Sequence, residues 1–352
     1  MQTAIFHHKT PYLDFLEQEL RLPKKENNQP LIIDLFAGCG GLALGFEAAG
    51  FRTIGYEKLA DACQTYQHNL HSICNQVTLT RNPDLVEQAS VIIGGPPCQP
   101  FSVGGHQLGL KDSRDGFPIF LDAVERYRPE IALFENVRGM LFRNKSYFEE
   151  IEIALKNLGY IVDWEILNAA HYGVPQRRER LVCVAHQGGW KWPEKTHLHS
   201  PYTVGEALGE LAFQAASDSK FLTPSMDEYV KKYEIASKCI NPRDLHLYLP
   251  SRTVTCRNLS SPTGDMLRIR LPDGRRRRLS VREGARLQSF PDWFEFQGTD
   301  ESKCNQIGNA VPPILAKALA CAVKNCLEGN QETFSQENSL TNQYIQLSLD
   351  FI

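Results

Sequence analysis

Residues 31–41 read Leu31-Ile32-Ile33-Asp34-Leu35-Phe36-Ala37-Gly38-Cys39-Gly40-Gly41, and Leu42-Ala-Leu-Gly-Phe-Glu-Ala-Ala49 follows at helical spacing. An apolar run, a glycine-rich turn and a helix in immediate succession predict a strand whose carboxyl end opens into a ligand loop. There, glycines permit a tight turn and a close approach of backbone to ligand. Nineteen positions after Gly38, at the end of the next apolar run, stands Glu57, where a carboxylate would accept from ribose hydroxyls. A nucleotide-like cofactor is implied, with Asp34, Phe36, Gly38, Gly40, Gly41 and Glu57 as candidate contacts. Because Gly38-x-Gly40-x-x-Ala43 also satisfies the dinucleotide fingerprint, a nicotinamide enzyme competes at this loop. ATP hydrolysis fits worse, because the loop lacks Gly-Lys-Ser/Thr.

Outward from this loop, the runs FRTIGY, SVIIGG, IALFEN and ERLVCVA alternate with helical patterns up to about residue 185. That alternation predicts a doubly wound, mostly parallel α/β sheet. From 186 to 262 the periodicity gives way to Pro, Ser, Trp and His-rich text, which predicts a smaller irregular domain. A helical pattern returns at 303–326. The expected division is an N-terminal extension over 1–30, a catalytic and cofactor-binding domain over 31–189, a second domain over 190–300, a returning helix over 301–327 and a tail over 328–352. Within the extension, Pro11 to Leu22 reads as a packing helix.

Bulk properties narrow the class. The 352 residues are 42% hydrophobic and 22% charged, with a formal net charge of -3, so no global charge draws the chain to nucleic acid. No apolar run reaches the roughly 18 residues that span a bilayer, and no secretory signal opens the chain, so a cytoplasmic location is expected. Ten cysteines are scattered without a C-x-x-C pair, so no structural zinc is expected.

Two further loops carry the chemistry. After SVIIGG comes Pro96-Pro97-Cys98-Gln99-Pro100-Phe101-Ser102, which places Cys98 at the carboxyl end of a strand in a loop stiffened by three prolines. The next strand delivers Glu135-Asn136-Val137 to the same sheet edge. With no histidine adjacent to deprotonate the thiol, an electrophile attacked by Cys98 needs activation of its own. A carboxyl group nearby would supply it by protonating or hydrogen-bonding that electrophile.

Five ordered motifs, DLFAGCGG, PPCQPFS, ENV, QRRER at 176–180 and GNAVPP at 308–313, resemble the motif set of DNA cytosine-5 methyltransferases of the bacterial restriction-modification type. The resemblance implies a class I, Rossmann-like fold with a β-rich target-recognition domain, and S-adenosylmethionine as methyl donor. It assigns Cys98 as nucleophile, Glu135 to N3 and the exocyclic amine, and Arg178 and Arg180 to the flipped cytidine and its phosphate. Pro97 and Asn309 join the cofactor contacts, while Gln99 and Ser102 face DNA. The residue at the cofactor's adenine amine stays unassigned, because QVTLTRNPDL departs from the family's usual text there. The implied substrate is double-stranded DNA, with tRNA methylation as the alternative. A monomer that binds no metal, paired in function with a restriction endonuclease, is expected.

A base within a duplex must be extruded before it can react. The segment 101–116 has the glycines and charges of a lid over such a base. Between Arg268 and Arg286 lie eight arginines against Asp273 and Glu283. This predicts a basic surface gripping the DNA backbone through Arg275, Arg276, Arg277 and Arg278, on a hairpin turning at Pro272-Asp273-Gly274. Thr253 and Thr255 resemble threonines of the family's recognition region.

Overall fold

The computed structural model describes residues 10–26, 28–86, 88–97, 115–236, 244–260 and 265–329. Its strands are β1 (Leu31–Leu35), β2 (Arg52–Glu57), β3 (Cys74–Gln76), β4 (Val91–Gly94), β5 (Ile131–Val137), β6 (Ile161–Asn168), the two-residue β7 (Gln176–Arg177) and β8 (Glu179–His186) in the first half of the chain. Seven of them form one sheet in the order β3-β2-β1-β4-β5-β8-β6. Strands β1 to β5 pair in parallel, and β8 inserts antiparallel between β5 and β6.

The central strands β1 and β4 are buried along their whole length, as a sheet covered on both faces requires. Alternate residues go to opposite layers. Ile32, Val91 and Ile93 join one core, and Leu31, Ile33, Leu35 and Ile92 join the other. The first layer is filled by α1 (Pro11–Glu19), α2 (Gly41–Ala48) and α3 (Ala60–Asn69) with the terminal helix, residues 313–329. The second is filled by α4 (Phe117–Tyr127) and, beyond the short α5 (Met140–Arg143), by α6 (Lys145–Asn157). This is the doubly wound architecture expected from the alternating pattern.

Helix α1 begins at Thr10, whose hydroxyl accepts from Leu13 N–H, with proline in the first turn where no N–H is missed. It buries Tyr12, Leu13 and Leu16, packs the Tyr12 ring against the tilted Tyr202 ring at 4.7 Å between centroids, and ends with Lys317 donating to the Glu19 carbonyl at 2.6 Å. Helix α1 is therefore part of the core.

The second region departs from its expected β-rich character. Among the described residues of 190–300 the strands are β9 (Ser251–Arg252), β10 (Arg268–Arg270) and β11 (Arg276–Arg278). Helices outweigh them: α7 (Val204–Leu208), α8 (Pro224–Ala236), α9 (Cys256–Ser260) and α10 (Val281–Leu287). Capping boxes, Thr203 with Glu206 and Ser280 with Glu283, start α7 and α10. β10 and β11 form the antiparallel hairpin read from Pro-Asp-Gly, with Gly274 at φ +87° in its turn.

The returning helix is two helices. α11 (Asp300–Asn309) stops where Ala310 turns extended, and Pro312 and Pro313 restart the chain into the helix at 313–329. The most apolar window of Asp300–Gly329 has a mean hydropathy of 1.3, and 72% of it is buried inside the protein, so this stretch is a core element.

Candidate active site

Three glycines after β1 meet three different demands. Gly38 and Gly40 adopt φ +56° and +88°, a region that disfavours side chains, and Phe36 shares it at φ 59°. A Cβ on Gly40 would lie 2.8 Å from the Tyr66 ring, and one on Gly41 2.5 Å from the Val311 carbonyl oxygen. A Cβ on Gly38 would meet nothing within 4 Å, so the loop opens on free space there. Glu57 ties the loop to β2. Its Oε2 accepts from Gly38 N–H at 2.9 Å and its Oε1 from Leu59 N–H at 2.8 Å.

Asp34 lies beneath this loop at 1% exposure, and its Oδ2 has no hydrogen-bond partner. Burial, and then the charge of Glu57, push its carboxyl well above the usual range. A buried acid with an orphaned oxygen, a second carboxylate and a glycine facing space suit a small ligand carrying hydroxyls and positive charge. The donor set fits S-adenosylmethionine. Phe36 and Pro97 converge on one spot, since a Cβ on Gly116 would lie 3.0 Å from Phe36 Cζ and 2.5 Å from Pro97 Cδ. Asn309 is exposed at the end of α11, two residues before the carbonyl that packs on Gly41.

Cys98, Gln99 and Ser102 lie outside the described residues, as does most of the segment 101–116. The residues leading into and out of that stretch are firmly held. Gly116 N–H donates to the Pro97 carbonyl at 2.9 Å, and Asn136 Nδ2 donates to the Pro96 carbonyl at 2.9 Å. Asp115 accepts from the Tyr147 hydroxyl and, at 3.1 Å, from Phe117 N–H.

Glu135, one residue before Asn136, is 8% exposed. The β5–β8 register pairs Val137 with Arg180, which puts Arg180 diagonal to Glu135 on one face. Arg180 Nε lies 3.0 Å from Glu135 Oε1 in an ion pair, yet off the hydrogen-bond line, so Oε1 makes no hydrogen bond. The carboxyl oxygen is thus charge-compensated, buried and without a hydrogen bond.

The rest of QRRER divides by burial. Gln176 and Arg178 point inward, and Arg177 is exposed. Arg178 is 2% exposed and donates to the carbonyls of Val254 and Ala310 at 3.0 Å each and of Gly308 at 3.4 Å. Burial, and then Arg180, push its guanidinium down to about 9, so it remains charged at neutral pH. Gln176 donates to Gln288 Oε1 at 2.6 Å and accepts from Val254 N–H at 2.7 Å, and Gln288 reaches the Ile307 carbonyl at 2.6 Å. This buried network joins the QRRER segment, α10 and the GNAVPP turn. Gln176, Gln288 and Asn136 were not singled out individually from sequence, although Gln176 and Asn136 lie within the QRRER and ENV motifs.

The arginines expected to form a basic surface are mostly turned inward. Arg277 is 3% exposed, bound to Glu283 at 2.6 Å and to the carbonyls of Leu211 and Gln214. Arg276 pairs with Asp244 and Asp227, and Arg268, fully buried, with Asp244 and Glu234. Arg286 pairs with Asp292, and Arg282 donates to the carbonyls of Pro291 and Phe294. Arg278 is half-buried against the Ser260 carbonyl. Arg275 is exposed, paired with Asp273 and stacked over Phe221 at 4.3 Å. Thr255 caps α9 by accepting from Asn258 N–H, and Thr253 donates to the Arg177 carbonyl at 2.9 Å.

Beside Glu135 opens a cleft of about 480 Å³ lined by Val137, Arg138, Asn168, Arg177, Arg180 and Thr253 among others. Among the described residues no group of His, Cys, Asp and Glu could hold a metal ion.

A doubly wound sheet with a glycine loop at the end of β1, and a carboxyl–arginine pair at the end of β5, defines a cofactor-dependent transferase of the α/β class. The model of C-5 cytosine-specific DNA methylases matches residues 31–325. The type II methyltransferase M.AplI of Arthrospira platensis is 59% identical over 321 residues, covering 91% of this chain and 93% of that protein. The type II methyltransferase M.NgoFVII of Neisseria gonorrhoeae is 31% identical over 364 residues, covering 93% and 95%. Among solved structures, the Entamoeba histolytica methyltransferase EhMeth shares the fold with a TM-score of 0.66 at 18% identity, covering 86% of this chain and 99% of its own. The chain belongs to the C-5 cytosine-specific DNA methylase family and is a DNA (cytosine-5)-methyltransferase.

Proposed function

We propose that the chain methylates C5 of a cytosine flipped out of duplex DNA through a covalent adduct between Cys98 and C6, as the modification partner of a restriction endonuclease. It would act in the cytoplasm as a single chain, with residues 190–300 reading the target sequence. The carrying observation is the shared end of β5. Glu135 has a buried oxygen free of hydrogen bonds beside Arg180, and its neighbour Asn136 holds Pro96, two residues before Cys98.

When bound, S-adenosylmethionine supplies an electrophilic methyl group; Phe36, Gly38, Glu57, Pro97 and Asn309 would hold it, with Asp34 beneath. Glu135 binds the base at N3 and polarises the ring, so that the Cys98 thiolate can add at C6. The electron pair displaced from the C5–C6 double bond makes C5 the nucleophile for the methyl group, whose bond to the donor's sulfur breaks with its electrons remaining on sulfur. Loss of the C5 proton to a base then re-forms that double bond and expels the thiolate. Arg180 keeps the Glu135 carboxyl oriented and offsets its charge. Arg178 supports this end of the sheet from within by fixing the 253–254 segment and the GNAVPP turn.

Incubation with tritiated S-adenosylmethionine and either duplex DNA or tRNA tests the reading. Label enters DNA, Cys98→Ala abolishes it, and DNA carrying 5-fluorocytosine traps the wild-type chain covalently. Label confined to tRNA, or labelling that survives Cys98→Ala, overturns it.

A further inference from the structure

We propose that Arg177 binds a backbone phosphate of the substrate DNA in the cleft beside Glu135. The inference rests on the DNA-methylating reading and concerns a residue that the motif resemblance leaves without a role.

Burial separates the three arginines of QRRER. Arg178 turns into the core and its guanidinium engages three carbonyls. Arg180 is 13% exposed in its side chain and ion-paired with Glu135. Arg177 is exposed and lines the cleft together with Arg138, Asn168, Glu179, Arg180 and Thr253. Its backbone is fixed, because β7 pairs in parallel with β9 at Arg252 and its carbonyl accepts from Thr253.

The charges of the cleft wall leave one cation over. Glu179 neutralises Arg138, which also stacks over the Phe142 ring at 5.0 Å. Glu135 neutralises Arg180. Among the described residues no carboxylate forms an ion pair with Arg177, and the cleft contains no acid besides Glu179. An exposed guanidinium on a rigid strand, beside the carboxyl that binds the target base, is matched to a phosphodiester, which accepts two N–H bonds from one guanidinium. This contrasts with the arginine-rich stretch 268–286, where carboxylates and carbonyls absorb most of the charge.

The test is the salt dependence of DNA binding by the full chain with Arg177→Ala and Arg177→Lys. Loss of one phosphate contact lowers the slope of log K against log [salt] by about 0.9 on duplex DNA. Arg177→Ala is expected to show that decrease and to raise the KM for DNA roughly tenfold, the cost of about 1.4 kcal/mol per factor of ten, while kcat at saturating DNA and target preference stay unchanged. Arg177→Lys keeps the wild-type slope, since charge is retained. Thermal melting with and without S-adenosylmethionine establishes that both variants are folded. An unchanged slope in folded Arg177→Ala that still methylates DNA overturns the inference and leaves the methyltransferase reading intact. So does a fall in kcat with KM unchanged, or an altered target sequence. If the wild-type chain labels no DNA, the underlying reading fails instead.

Discussion

Asn136 joins the two halves of the reacting centre, donating from Nδ2 to the Pro96 carbonyl at 2.9 Å while its Oδ1 accepts from Val137 N–H at 2.8 Å. The strand bearing Glu135 and the loop leading to Cys98 are therefore held by one side chain that is 6% exposed. Removing it leaves a buried carbonyl unsatisfied, at a cost of about 1–3 kcal/mol. If that cost falls on alignment in the transition state, Asn136→Ala lowers kcat by roughly 10- to 100-fold. S-adenosylmethionine affinity should change little. Steady-state kinetics alongside equilibrium cofactor binding decide the matter, and an equal loss in both would assign Asn136 to general stability.

The glycines predict opposite outcomes for the same substitution. Gly38→Ala places a methyl group in free space at φ +56°, so folding loses only about 1–2 kcal/mol of backbone strain. The methyl group would stand where the loop opens to the cofactor, and affinity for S-adenosylmethionine should fall at least tenfold. Gly308→Ala would overlap the Cys256 backbone nitrogen, where nothing can rotate away. That variant should lose much of its folded population. Thermal melts separate the two, and a Gly38→Ala chain with unchanged cofactor affinity contradicts the placement of the ligand.

Arg277 and Arg275 test what the arginine-rich hairpin is for. The Arg277–Glu283 pair is 4% and 2% exposed at its side chains, and removing one partner of such a pair strands a buried charge, costing about 3–5 kcal/mol. Arg277→Met should therefore lower stability sharply in urea titration, whereas Arg275→Ala, at an exposed pair, should change it by less than about 0.5 kcal/mol. Equal stabilities for the two variants would contradict the buried role of Arg277.

That contrast also shows what was legible in the sequence. LIIDLF and SVIIGG declared themselves because strands buried on both faces are apolar throughout, and DLFAGCGG because its clustered glycines suit a tight turn with positive φ. β6 escaped notice: at the sheet edge, its Ile161 and Trp164 remain 53% and 44% exposed, so IVDWEILN has no continuous apolar run. β3, with three residues, is too short to carry a pattern. The arginines misled for a different reason. Their partners Asp227, Glu234 and Asp244 lie 24 to 49 positions away from the arginines they bind, and local charge counting has no access to them. Of the site, Asp34, Glu57, Glu135 and Arg180 were legible as residues, but not the ion pair between the last two, which depends on β8 running antiparallel to β5.

Asp244 anchors the second region through charge and should make its stability depend on acid. Burial alone would raise its carboxyl, but hydrogen bonds from Arg268 and Arg270 and the charges of Arg268 and Arg276 outweigh that and hold it below the ordinary range. A folded pKa below the unfolded one, about 3.9, means that the unfolded chain binds more protons as the pH falls. The stabilisation is then fully present above the unfolded pKa and is lost as the pH descends through the folded one. Asp244→Asn removes the charge at every pH. Melting temperatures of the two chains should differ most at pH 5 to 7, and the difference should shrink progressively as the pH falls below about 3.9, because other carboxylates titrate alike in both. A difference that stays constant from pH 7 to pH 3 would mean that the shape of the Asp244 side chain, and not its charge, holds the three arginines together.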